Sequence, residues 1–128
     1  MQKCPYCPIT DPANEVIFED KHVLFLQNQN YQGALKHSGI IIPKAHKETA
    51  FDLSEEEILA TFTLLSEVKR WMDSNFAPSG YNLGWNCGRV AGQEVMHAHL
   101  HVIPRFGEEP LAGKAGIRTL LKSERNRW

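Results

Sequence analysis

No apolar run in this 128-residue chain approaches the roughly 20 residues that a membrane-spanning helix requires. The opening Met1-Gln2-Lys3-Cys4-Pro5 carries no apolar stretch of the kind that directs secretion. Neither membrane nor export signal is therefore legible, and the expected location is the cytoplasm. A basic surplus is also missing: 14 Lys and Arg stand against 15 Asp and Glu, a formal net charge of -1. That balance argues against broad electrostatic binding of nucleic acid, which needs a positive face. It leaves room for a local anion site built from backbone amides, helix ends and neutral histidines. Cysteines are few, and their odd number (Cys4, Cys7 and Cys87) disfavours a disulfide framework. There is no internal repeat and no low-complexity linker, so residues 1–128 are read as a single domain of ordinary globular composition.

What is present alternates between short β-prone runs and one long helical stripe. Glu15–Glu19 and His22–Leu26, separated by Asp20-Lys21, predict a hairpin. The polar stretch from Gln27 to Ser38 reads as a loop. Gly39-Ile40-Ile41-Ile42-Pro43 is apolar on both faces and predicts a central strand closed by proline. Ser54 followed three residues later by Glu57 predicts a capping box, and the acidic first turn suits the positive end of the helix dipole. Ile58, Phe62, Leu65, Val68, Trp71 and Met72 then define an apolar stripe to about Ser74, before Pro78-Ser79-Gly80 ends it. Strands follow over Tyr81–Asn86 and Val95–Ile103, joined by a small-residue turn, and Ile117–Lys122 suggests a short C-terminal helix. The pattern predicts an α+β fold: about five antiparallel strands, one long helix and a short terminal one.

Chemistry concentrates in two places. In a strand, alternate side chains share a face, so His97, His99 and His101 are expected to line one side, with Ala98, Leu100 and Val102 beneath. Three imidazoles at period two serve no apolar core. They suit either metal ligation or a neutral imidazole nucleophile oriented through its second nitrogen, and spacing alone does not decide between these. The second place is Cys4-Pro5-Tyr6-Cys7, which is open to three readings: a metal half-site, a redox pair, or two unrelated thiols. Pro8 and Pro12 argue against the helix that a redox site usually opens.

Gly92-Gln93-Glu94-Val95-Met96-His97-Ala98-His99-Leu100-His101-Val102-Ile103-Pro104-Arg105 resembles the signature of the histidine triad (HIT) family. Ile40–Pro43 with Lys44 and His46 resembles that family's earlier strand, and Asn86-Cys87-Gly88 its nucleotide-contacting turn. The resemblance covers most of the chain and implies a HIT-like fold. It implies a nucleotidyl hydrolase or transferase acting at the α-phosphorus of adenosine phosphoramidates or dinucleoside polyphosphates, with a purine nucleotide of AMP type as partner. On that basis His99 is the nucleophile that forms a nucleotidyl-histidine intermediate, His101 contacts phosphate oxygens, and His97 orients His99 through its backbone carbonyl. Gln93 and Asn86 contact the phosphate region. The family's ribose-binding acidic position falls near Gln27, where a neutral hydrogen bond from Gln27 or Asn28 would replace it. Glu94 stands where many members have Ser or Thr, and Ser38 where many have His. The alternative is a nucleotide-binding regulator whose hydrolysis is incidental.

The resemblance also implies a structural zinc, because some members hold one with an N-terminal C-x-x-C, a histidine after the Pro-Lys segment and the first triad histidine. The matching residues are Cys4, Cys7, His46 and His97, a donor set of two thiolates and two imidazoles that suits zinc. A homodimer is implied as well.

Overall fold

A computed structural model describes residues 4–109 and 112–113. Five strands form one antiparallel sheet: β1 (Glu15–Glu19), β2 (Val23–Gln27), β3 (Gly39–Pro43), β4 (Gly80–Gly84) and β5 (Leu100–Arg105), in the order β1-β2-β3-β5-β4. This is the antiparallel α+β architecture expected from the sequence. The expected short helix at Ile117–Lys122 lies outside the described residues.

The β1–β2 turn closes because Asp20 Oδ1 accepts the backbone N–H groups of His22 and Val23 at 2.7 and 2.8 Å. β3 is buried along its whole length, as its unbroken apolar run requires. Inside the stretch read as a loop lies a single helical turn, α1 (Gln29–Gln32). Asn28 caps it, its Oδ1 accepting the Asn30 N–H at 2.9 Å.

The long helix α2 spans Glu55–Phe76. Its start is the expected capping box: Ser54 Oγ accepts the Glu57 N–H, and Glu57 Oε1 accepts the Ser54 N–H at 2.8 Å. The buried face differs from the expected stripe. Glu57, Ala60, Thr61, Leu64, Val68 and Met72 are buried, whereas Ile58 and Phe62 are 44% and 51% exposed. Small Ala60 and Thr61 let the helix lie close to the sheet, and the larger apolar chains fall on the neighbouring face. Periodicity locates an apolar sector but not the line along which the helix touches its neighbour.

Two apolar clusters result, one on each side of the sheet. Between sheet and helix lie Val23, Phe25, Ile41, Leu64, Val68, Met72, Leu100 and Val102. On the opposite side Tyr6 packs with Leu24, Leu26, Ile40 and Ile42, and Cys4, Ile9, Tyr31 and Val95 flank them. Each fully buried Leu, Ile or Val contributes about 1.5–3 kcal/mol relative to exposure. Alternation along β2 and β3 generates both clusters from the same apolar runs. The N-terminal segment is thereby held against the face that carries the histidines.

Candidate functional site

His101 lies in β5, paired with Ile40 on one side and Gly84 on the other. It therefore shares the face of Ile40, away from α2. His97 and His99 precede the strand, which starts at Leu100 rather than Val95. That corrects the expected strand: the three rings are not a simple row at period two. A long-range bond shapes the segment instead, the Ala98 N–H donating to the Lys47 carbonyl at 2.7 Å. His97 turns toward the N-terminal cysteines, while His99 and His101 face each other with ring centroids 4.8 Å apart.

The hydrogen bonds of His99 assign its tautomer. Its Nδ1 lies 2.7 Å from the His97 carbonyl, which only accepts, so Nδ1 carries the proton. In the neutral ring Nε2 then holds the in-plane lone pair, the form a nucleophilic imidazole needs. His101 is only 1% exposed, and neither of its ring nitrogens has a hydrogen-bond partner among the described residues. Burial first, then His99, holds its pKa down to about 3, so the ring is neutral at physiological pH. A buried imidazole with nothing to bond is costly, and it makes sense where an incoming polar group supplies the partner.

Gln93 is buried and fully engaged. Its Oε1 accepts the Gly88 N–H at 2.7 Å, and its Nε2 donates to the carbonyls of Glu48 at 2.6 Å and Val95 at 3.0 Å. The turn it staples needs positive φ at Gly88 and Gly92, +93° and +97°, which glycine adopts without strain. Asn86 enters that turn two residues after β4 and is half-buried. Gln27 follows Val23 and Phe25 by alternation, on the helix side, and donates to the His37 carbonyl at 2.8 Å. The structure thus groups His97, His99 and His101, while Gln27 borders a separate polar cavity of about 300 Å³ with Glu15, Gln29, Gln32 and His37. Neighbouring Asn28 is buried, its Nδ2 donating to Asn14 Oδ1 at 2.8 Å.

Cys4, Cys7, His46 and His97 converge, with their four donor atoms all within 4.8 Å of one another. His97 Nε2–H donates to the Pro43 carbonyl at 2.9 Å, so Nδ1 presents a lone pair. Three atoms crowd that one lone pair: Cys4 Sγ and Cys7 Sγ at 3.4 Å each, and His46 Nδ1 at 3.2 Å. Cys7 Sγ also lies 3.4 Å from His46 Nδ1. One acceptor cannot satisfy three such neighbours at once, whereas a central cation satisfies four donors. A tetrahedral zinc shell has edges of about 3.3 Å between imidazole nitrogens and about 3.6 Å between thiolate and imidazole. The separations fit. Burial, then adjacent Cys4, pushes the Cys7 thiol pKa up to about 11, so ionising Cys7 calls for a cation.

Three further residues escaped the sequence reading. Tyr6, inside the cysteine pair, is buried edge-on to the rings of His97 and His99 at 5.6 and 6.5 Å. Its place between two aligned cysteines was the available signal. Glu57 was legible as a cap but not as a buried carboxylate, and Lys47, which binds it at 3.0 Å, carried no local signal. Burial pushes the Glu57 pKa up, but the Ser54 N–H and Lys47 outweigh it and leave the group below the usual carboxylate range.

The HIT domain model matches residues 10–108 of the chain. A protein of Bacillus subtilis described as "Protein hit" is 34% identical over 110 residues, 84% of this chain and 74% of its own length. The adenosine 5'-monophosphoramidase hnt1 of Schizosaccharomyces pombe is 35% identical over 106 residues, 83% and 77% of the two chains. The crystal structure of a HIT family protein from Bacillus anthracis superposes with a TM-score of 0.76 at 35% identity, covering 98% of this chain and 85% of that one. The chain belongs to the HIT family.

Proposed function

We propose that the chain is a nucleotidyl hydrolase or transferase whose nucleophile is His99. The observation that carries this reading is the pairing of an oriented neutral imidazole with a buried imidazole that has no hydrogen-bond partner among the described residues. His99 Nδ1–H is held by the His97 carbonyl, and His101 beside it has both nitrogens unspent among the described residues. Attack by the His99 Nε2 lone pair on an α-phosphorus forms a P–N bond. It breaks the bond to the leaving group, which departs with the electron pair. Water or another acceptor then displaces the histidine by the same route. His101 can donate one N–H to a phosphoryl oxygen as charge develops there, an interaction worth more in the transition state than in the ground state. A neutral ring suffices for this, as its pKa near 3 dictates. Gln93 acts through the turn it staples, and Asn86 borders that turn.

The substrate class is an adenosine phosphoramidate or a dinucleoside polyphosphate, supported by the likeness to an adenosine 5'-monophosphoramidase. Phosphorus NMR of the protein with both classes should show AMP appearing from at least one. Intact substrates after prolonged incubation would leave only the regulator reading. Zinc in the Cys4, Cys7, His46 and His97 shell would be structural, closing all four positions to substrate and tying the N-terminus to the histidine segment. The assembly in this reading is a homodimer, because Ile58, Leu59 and Phe62 on α2 and Leu83 on edge strand β4 are exposed. Light scattering should return twice the chain mass of 14.5 kDa, and Leu59→Glu should lower it.

A further inference from the structure

Residues 46–48 meet the site at three consecutive positions. The His46 ring joins the cysteine and histidine cluster, its Nδ1 3.2 Å from that of His97. The Lys47 carbonyl accepts the N–H of Ala98, the residue between His97 and His99, at 2.7 Å. The Glu48 carbonyl accepts Gln93 Nε2 at 2.6 Å. The segment lies outside any helix or strand, so no ladder of backbone bonds fixes it. Its tether is the Lys47 side chain, which donates to Glu57 Oε1 at 3.0 Å and to the Asp52 carbonyl at 3.3 Å.

Glu57 is an unusual partner for a surface lysine. Its side chain is 7% exposed against 31% for Lys47, and the oxygen that binds Lys47 also closes the Ser54 cap. A buried carboxylate is retained only with its charge answered, and Lys47 is the cation that answers it. The pair thus joins the rigid start of α2 to the strandless segment that clamps Ala98. Because His99 takes its orientation from the His97 carbonyl, which belongs to the same planar peptide unit as the clamped Ala98 N–H, a shift of residue 47 is transmitted to the His99 ring.

We infer that the Lys47–Glu57 ion pair is a positioning element for His99, holding the His97-Ala98-His99 segment in register through the Lys47 carbonyl. The inference rests on the reading of His99 as nucleophile for its kinetic consequence, but not for its structural one. Misplacing a reacting group by about 1 Å costs up to about 100-fold in rate.

The test compares Lys47→Met, Lys47→Arg, Glu57→Gln and Lys47→Met/Glu57→Gln in the full chain. Turnover of an adenosine phosphoramidate, AMP affinity and amide hydrogen exchange at Ala98 are measured for each. Lys47→Met should lower kcat about 10–100-fold and speed Ala98 exchange about tenfold. AMP affinity should stay near wild type, and in the double variant, which leaves no buried charge unanswered, so should the exchange of buried α2 amides such as Leu64 and Val68. Lys47→Arg should recover most of the loss, and the double variant should be no worse than Lys47→Met alone. A Lys47→Met protein that melts earlier yet keeps wild-type kcat and Ala98 protection overturns the inference, as does a loss that Lys47→Arg leaves unrepaired. Should Lys47→Met not fold, Glu57→Gln decides by the same readouts. If the wild type turns nothing over, the nucleophile reading fails, and Ala98 exchange alone still decides the positioning claim.

Discussion

Replacing both N-terminal thiols, Cys4→Ser/Cys7→Ser, tests the candidate metal centre where its geometry is most specific. Four donors within 4.8 Å, at separations of 3.2 to 3.4 Å around His97 Nδ1, fit one tetrahedral zinc shell. They join residues 4–7 to the segment that follows β3 and the one that precedes β5, so a bound ion acts as a cross-link that the unfolded chain lacks. With free zinc at about 100 times Kd, linkage adds about 2.7 kcal/mol to stability. For a domain of this size that corresponds to a rise in Tm of roughly 10 °C. Protein purified without chelator should contain about one zinc per chain. Chelation should lower Tm by that amount, added zinc should restore it, and the double variant should show neither zinc nor response. Activity should follow only through the placement of His99, since the closed shell leaves no position for substrate. Metal-free protein whose Tm ignores zinc, or a double variant that keeps its zinc, refutes this account.

Two further perturbations test the frame around the site. A Cβ at Gly39 would lie 2.6 Å from the Leu26 carbonyl oxygen and 2.7 Å from the Phe25 ring, so Gly39→Ala should destabilise by about 1–3 kcal/mol in urea denaturation. An unchanged midpoint would mean that β2 and β3 do not approach so closely. The second concerns pH. Unfolded, an imidazole protonates near pH 6.5, whereas burial and then His99 hold His101 down to about 3. Between those values the unfolded chain binds more protons, so stability falls with pH below about 6.5, by at most about 1.4 kcal/mol per unit. Wild type and His101→Gln, denatured at pH 7 and pH 5, should diverge in that direction; parallel losses would contradict the burial of a neutral ring.

Much of this arrangement is legible in the sequence because local chemistry writes it. Ser54 and Glu57 specify the start of α2 through bonds three residues apart, and Asp20 closes the β1–β2 turn in the same local way. The unbroken Gly39–Pro43 run specifies a central strand. The triad histidines and the cysteine pair stand out because clustered imidazoles and thiols are poor core material. What was not legible depends on distant partners. His97 and His99 lie outside β5 because the Lys47 carbonyl draws Ala98 away, a contact between residues 51 apart in sequence. The buried line of α2 runs through Ala60 and Thr61, whose small size matters only against the sheet. Gln93 staples the turn through Gly88, Glu48 and Val95, which no spacing rule announces. The helical turn Gln29–Gln32 was hidden because its stabilisation is one Asn28 cap rather than an apolar face.

The central claim is that His99 becomes covalently bonded to phosphorus. Rapid acid-free quenching of the protein with an adenosine phosphoramidate, followed by intact mass and peptide mapping, reads this directly. An adenylyl adduct is expected on the peptide containing His99. His99→Ala should form no adduct and turn over no substrate, while retaining its fold and AMP binding. Turnover near wild type in His99→Ala, or an adduct mapped to another residue, would contradict it.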